Sequence, residues 1–251
     1  MFSLGEWTVS KPSDFPVTTF DAVFFDLDST LVDELYIATA SIATCAELAA
    51  AHPQLDAGAL ATANLQSWVQ YWGEVEQQWI VGELSTPDMR HEVWRRTFAA
   101  VGAESEELIT EAMPIHQRHE RAEYLIFPDA LPTIDALRAA GIKVGVITNG
   151  ATDTQREKLD LLGITDAVDT IIVSAEVGAA KPSPVIFEAA LAAVGVSAAR
   201  AAHVGDSLHA DIGGAVAAGV TAIWLNRTGA ARADSDPMPD REIASLAELV
   251  E

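Results

Sequence analysis

The chain has 251 residues, 49% of them hydrophobic and 21% charged, which is the material of a globular fold large enough for one domain with a big insertion or for two modest domains. Thirty-seven acidic residues against fifteen basic give a formal net charge of −22, so a groove for a nucleic-acid polymer, which needs clustered Lys and Arg, is not expected. No apolar run reaches the length of a membrane span, the opening MFSLGEWTVSKPSDFP lacks the basic start and apolar stretch of an export signal, and the single Cys45 excludes an internal disulfide and a cysteine zinc cluster, so a cytoplasmic protein without membrane contact is expected.

Taken in chain order, Ala22 to Phe25 is a short continuous apolar run, as expected of a strand covered on both faces, and it ends in DLDSTL. From Glu34 to Glu123 the pattern changes to alanine-rich, Trp-containing helical segments (37–51, 59–79, 87–101 and 106–121) with no convincing strand. From about Ile126 helix and strand alternate. Helices are expected over 129–140, 152–162, 184–194 and 208–218, closed by Gly141, Gly163, Gly195 and Gly219. Strands are expected over 142–148, 170–174, 201–205 and 221–225. The stretch 228–240 reads as a loop and 241–250 as a short closing helix. Repeated strand–helix units joined by short loops predict an α/β fold, a doubly wound parallel sheet. Residues 1–33 and 124–251 would form this core, and 34–123 an all-helical cap inserted after the first strand.

The chemistry-bearing residues fall at strand ends, where open parallel sheets bind ligands. Alternation along an extended chain puts Asp26 and Asp28 on one side, just past the first strand. Two carboxylates so close repel unless a cation lies between them or one keeps a proton, and either arrangement suits a carboxylate nucleophile beside a general acid/base. The plainer alternative is a strand closing in an Asx turn. Asp206 stands at the end of the strand 201–205 with Asp211 just beyond; such a pair offers hard oxygens to Mg²⁺, or Asp206 simply caps a helix. Thr148, Asn149 and Gly150 end the strand 142–148 with donors suited to phosphate oxygens. Lys181 is a candidate phosphate clamp, with a solvated surface lysine as its alternative. A chain of this charge must supply local positive charge for any anionic substrate, most economically through a divalent cation.

In that order, FDLDSTL, VITNG, GAAKPSPVIF and HVGDSLHADIGGA resemble the four motifs of the haloacid dehalogenase-like superfamily, and the resemblance covers both core segments. It implies a Rossmann-like core and a Mg²⁺-dependent phosphatase in which Asp26 is the nucleophile, forming an aspartyl-phosphate, and Asp28 the general acid/base. It further implies that Thr148, Asn149 and Lys181 bind the phosphoryl group. Mg²⁺ would be held by Asp26, the main-chain carbonyl of Asp28 and Asp206, with Asp211 in support. The helical insertion looks like the family's type 1 cap. The partner implied is a small phosphorylated metabolite, handled by a monomer or homodimer. The segment TNGATDTQREKL, with the later motifs, is similar to the N-acylneuraminate-9-phosphatase and pyrimidine 5′-nucleotidase branches, which points to a sugar phosphate or a nucleotide. Other members are phosphomutases and 2-haloacid dehalogenases, and a non-catalytic binding protein could keep the fold. Asp28 and the Asp206/Asp211 pair argue against a dehalogenase, and a cap without lysine argues against the phosphonatase branch.

Weaker features have plain readings. His116 and His119 read as a solvated helix face, His203 as core, and Arg90, Arg95 and Arg96 as surface partners of glutamates, with one or two of them facing an anionic substrate as the alternative. Trp68, Trp72, Trp79 and Trp94 read mainly as packing, with one free to stack on a base or sugar.

Overall fold

The computed structural model describes residues 19–250, so the reading of the opening stretch as free of an export signal lies outside the described residues. Strand β1 (Ala22–Phe25) is buried along its whole length and lies near the middle of a sheet with β4 (Lys143–Thr148), β5 (Thr170–Val173), β6 (Ala201–Gly205), β7 (Thr221–Leu225) and β8 (Arg241–Ile243). Among the described residues the sheet order is β5-β4-β1-β6-β7-β8, with every neighbouring pair parallel. Alternation along β1 sends Val23 and Phe25 to one face and Ala22 and Phe24 to the other. The first face is covered by α5 (Ala130–Ala139) and α6 (Thr152–Leu161), through Ile134, Leu137 and Leu159. The second is covered by α8 (Pro184–Val194) and α9 (Gly213–Ala217), through Ile186, Phe187 and Ala215. This is the expected doubly wound α/β architecture.

Between β1 and β4 the chain forms α1 (Tyr36–Ala51), α2 (Ala57–Ile80), α3 (Thr86–Ala100) and α4 (Glu106–Glu123), which share their own core of Cys45, Leu48, Leu60, Trp94, Phe98 and Ile109. Side-chain N-caps at Asp56, Ser85 and Ser105 start α2, α3 and α4. The chain leaves the sheet through β2 (Val32–Asp33) and returns through β3 (Leu125–Ile126), which pair antiparallel. Two residues per strand are too few to show a period in the sequence. A short α7 (Ser174–Val177) links β5 to the loop bearing Lys181.

Three expectations need correction. Residues 241–250 do not form one helix. Their apolar spacing at Ile243, Leu246 and Leu249 looks helical, but the exposed edge of β7 offers backbone partners that Arg241–Ile243 takes up as β8. Only a single 3₁₀ turn, Leu246–Leu249, follows, with Ser245 and Glu248 forming a capping box. His116 is buried rather than solvated: its ring packs edge-on against Trp94, its Nδ1 lies 3.3 Å from the Thr44 hydroxyl, and burial pulls it down to about 3, so it is neutral. Arg90 is not a surface residue; it pairs with buried Glu120, whereas Arg95 and Arg96 do pair with glutamates at the surface.

Candidate active site

Four strands of the parallel sheet deliver side chains to one place, as their carboxyl ends all face the same way. Asp26 follows β1, Thr148 ends β4, Lys181 lies beyond β5, and Asp206 follows β6. Lys181 Nζ donates to Asp26 Oδ1 at 2.5 Å and to Asp211 Oδ1 at 2.7 Å, with Lys181 itself 5% exposed. The low exposure excludes the solvated-surface alternative. Lys181 is itself fixed through its backbone. Its N–H donates to Asn149 Oδ1 at 2.8 Å and its carbonyl accepts from Asn149 Nδ2 at 2.9 Å. One N–H and the oxygen of the Asn149 amide thus brace the lysine.

Asp211 is fully buried, with Oδ1 accepting from Lys181 and from His203 Nε2 at 2.8 Å and Oδ2 accepting from the Ser207 N–H at 3.0 Å. The backbone from Leu208 to Ile212 runs as one wide π turn, and Ile212 N–H reaches back to the Ser207 carbonyl at 3.2 Å. Such widened turns cluster at functional sites. Gly205 has no side chain because a Cβ there would fall on the Asp211 carboxyl group. Gly205→Ala is therefore expected to destabilise the fold by about 1–3 kcal/mol through overpacking, read as a lowered midpoint in thermal unfolding. A midpoint equal to that of the wild type would show that Asp211 is free to move aside.

One oxygen from each of Asp26, Asp206 and Asp211 lies within 4.8 Å of the others. The charges are in tension. Burial pushes the Asp26 carboxyl well above the usual carboxylate range, Lys181 pulls it back, and Asp211 and Asp206 add to the rise. Burial, followed by the charge of Asp211, pushes Asp206 up to about 6. Burial alone would raise Asp211 too, but Lys181 and His203 outweigh it and hold this carboxyl below the usual range.

Asp28 faces the same cavity from another side. Its Oδ1 accepts from Lys158 Nζ and its Oδ2 from Gln155 Nε2 at 2.8 Å; the Gln155 amide also reaches Thr148 Oγ1 at 2.5 Å. The cavity has a volume of about 330 Å³ and runs from Asp26 and Asp28 up to Trp68, Trp72, Met89 and Arg90 of the helical block. Trp68 and Trp72 stack at 6.1 Å, and Trp79 meets Trp72 edge-on at 5.4 Å. The block is seated on the sheet domain nearby: Trp79 lies against Gly150, and the Ser174 hydroxyl donates to the Ile80 carbonyl while accepting from the Gly150 N–H.

The family model for haloacid dehalogenase-like hydrolases matches residues 20–219. The chain belongs to that family. It is 30% identical to the phosphoserine phosphatase of Thermus thermophilus over 243 residues, covering 90% of this chain and 96% of that protein. It is 28% identical to the N-acylneuraminate-9-phosphatase of Mus musculus over 243 residues, covering 91% of each. Among solved structures, a 2-haloacid dehalogenase from Pseudomonas syringae pv. Tomato is 31% identical with a TM-score of 0.67, covering 92% of this chain and 96% of that one.

Sequence reasoning placed Asp26, Thr148, Asn149, Lys181, Asp206 and Asp211 near one another, and the fold of this hydrolase brings them together. It missed the pair of side chains that hold Asp28. Gln155 and Lys158 belong to one face of α6, three residues apart, and both are buried. The signal available was the lysine itself, in a chain with few of them, on the helix that directly follows VITNG. It named Arg90 but missed its partner Glu120, with which it forms a buried ion pair in the cavity wall.

Proposed function

We propose that this chain is a Mg²⁺-dependent phosphoric monoester hydrolase that removes phosphate from a small organic ester through an aspartyl-phosphate on Asp26. The observation that carries the reading is the buried Lys181 ammonium bonded to Asp26 at the floor of a cavity that Asp28 also lines. The set Asp26, Asp206 and Asp211 fits a magnesium ion on its chemistry. It offers hard oxygen donors within one ion's reach, and burial, to which mutual repulsion adds, lifts two of them, a cost that a cation relieves. Asp26 and Asp206, the main-chain carbonyl of Asp28 and, in support, Asp211 would hold it. Bound there, it would supply positive charge for the phosphoryl oxygens and keep Asp26 ionised.

The side chains then have separate tasks. An Asp26 carboxylate oxygen attacks phosphorus while Asp28 gives its proton to the departing ester oxygen. Asp28 next takes a proton from the water that attacks the aspartyl-phosphate, which releases inorganic phosphate and restores both carboxyl groups. Lys181 holds Asp26 and the phosphoryl oxygens, braced by Asn149, and Thr148 completes the cradle. Residues 34–123 act as a cap that closes over the leaving group and keeps bulk water out, above a core that takes in, among the described residues, 19–33 and 124–250.

The leaving group we assign is a sugar or a nucleoside. The cavity suits a small molecule in volume, and indole faces at Trp68 and Trp72 suit a ring. Besides Lys181, which is assigned to the phosphoryl group, the cations lining it are Lys158 and Arg90, each engaged by a carboxylate, so a polyanion finds no further free partner there. A dehalogenase is disfavoured despite the Pseudomonas structure, because Asp28 and the three-carboxylate cluster serve proton transfer and a cation, which phosphoryl transfer needs. The test is phosphate release from a panel of sugar phosphates and nucleotides. EDTA is expected to abolish turnover and Mg²⁺ to restore it. Full activity in metal-free buffer, or chloride release from 2-chloropropionate without phosphatase activity, would overturn the reading.

A further inference from the structure

Asp28 sits where the helical block meets the sheet domain, and the groups that hold it come from both. Lys158 is 2% exposed, so its ammonium must be satisfied by protein groups. Two acceptors meet it: Asp28 Oδ1, and the Tyr36 hydroxyl at 3.2 Å. The ammonium also lies 5.4 Å from the centre of the Tyr36 ring. Tyr36 is the first residue of α1, where the chain enters the block, and Tyr124 directly follows α4, where it leaves. The two tyrosine rings meet edge-on at 4.8 Å. Both necks of the block therefore converge on the lysine that grips Asp28.

We propose that Lys158 is a positioning residue that couples the seating of the helical block to the orientation of the Asp28 carboxyl group, so that the leaving group is protonated only when the cavity is covered. The inference rests on Asp28 being the general acid/base. With Tyr36 in place, Lys158 has two acceptors and a single seat, and together with Gln155 it fixes both oxygens of Asp28. A carboxyl oxygen has two lone-pair directions, so a bond from Lys158 or Gln155 leaves one free for proton exchange. A rotation of the block about its necks carries Tyr36 away, and the ammonium and the carboxyl group lose their common register. Gating of this kind confines the proton step to a water-excluded cavity.

The test compares phenyl phosphate, whose leaving oxygen needs a proton, with p-nitrophenyl phosphate, whose leaving oxygen needs little. Lys158→Met keeps an unbranched chain one atom shorter and loses the charge. It is expected to lower kcat on phenyl phosphate by roughly 10²-fold, within the range of general-acid catalysis, and the p-nitrophenyl phosphate burst by less than about tenfold, with KM little changed. Lys158→Arg should recover much of the difference, and Tyr36→Phe should shift the ratio of the two substrates in the same direction by a smaller factor. Equal losses on both substrates would mean that Lys158 only supports packing, and no loss would mean that it does nothing for Asp28; either overturns the proposal. Where Lys158→Met fails to fold, Tyr36→Phe decides, because it removes one hydroxyl, and an unchanged ratio refutes the coupling. Wild-type protein silent on both esters, or Asp28→Asn with an unchanged ratio, instead defeats the reading of Asp28, and the inference falls with it.

Discussion

Asp26→Asn is expected to reduce phosphate release to near background, a loss of about 10⁴- to 10⁶-fold, the scale seen when the nucleophilic machinery of an enzyme is removed. The amide keeps the size of the side chain but supplies no anionic oxygen to attack phosphorus. It also breaks the pair with Lys181, whose ammonium then keeps only Asp211 as a carboxylate partner in this site. Fold loss is separable from chemical loss because Asp26 contributes its backbone to the sheet independently of its side chain: its N–H donates to the Val204 carbonyl at 2.9 Å. Circular dichroism of the variant should match the wild type. The positive measurement is rapid-quench labelling of wild-type protein with radiolabelled substrate, followed by peptide mapping. Label on a residue other than Asp26 would defeat the assignment.

Asp28→Asn is expected to cost roughly 10²- to 10⁴-fold in steady-state turnover, the range for a general acid–base group. An amide at that position can neither deliver the proton to the leaving oxygen nor take one from water. The loss should depend on substrate. With p-nitrophenyl phosphate, Asp26 still attacks, so a phosphoenzyme forms and accumulates because its hydrolysis lacks a base. With an alkyl ester, formation itself slows. Lys158 sharpens the expectation, because the substituted side chain would meet the buried ammonium with an amide in place of a carboxylate, leaving a buried charge short of its counter-ion. Some loss of thermal stability should accompany the loss of activity. Turnover of Asp28→Asn equal to that of the wild type on an alkyl ester would sink the assignment.

Much of the core was legible in the sequence by itself, for reasons of local physics. Strands buried on both faces read as continuous apolar runs, and glycines at 141, 163, 195 and 219 adopt positive φ just past helices, where side chains are strained. Asp26, Thr148 and Asp206 fall at or just past a strand's carboxyl end and Lys181 on the loop beyond β5 and α7, and in a parallel sheet those ends must meet. That is why the sequence alone groups Asp26, Thr148, Lys181 and Asp206.

What lay beyond the sequence was decided by partners distant along the chain. The closing segment became a strand because β7 had a free edge, which overrode its helix-like spacing. Arg90 and His116 were buried by the packing of α1, α3 and α4 on one another, a tertiary event that no single helix records. The grip on Asp28 joins residues 28, 36, 155 and 158, and the contact of α1 with α6 that makes it exists only once the helical block is seated. The sequence by itself determined which strand ends carry the chemistry. Tertiary packing alone decided how the second aspartate is aimed, because a carboxyl group's direction is set by the donors around it and these come from separate elements.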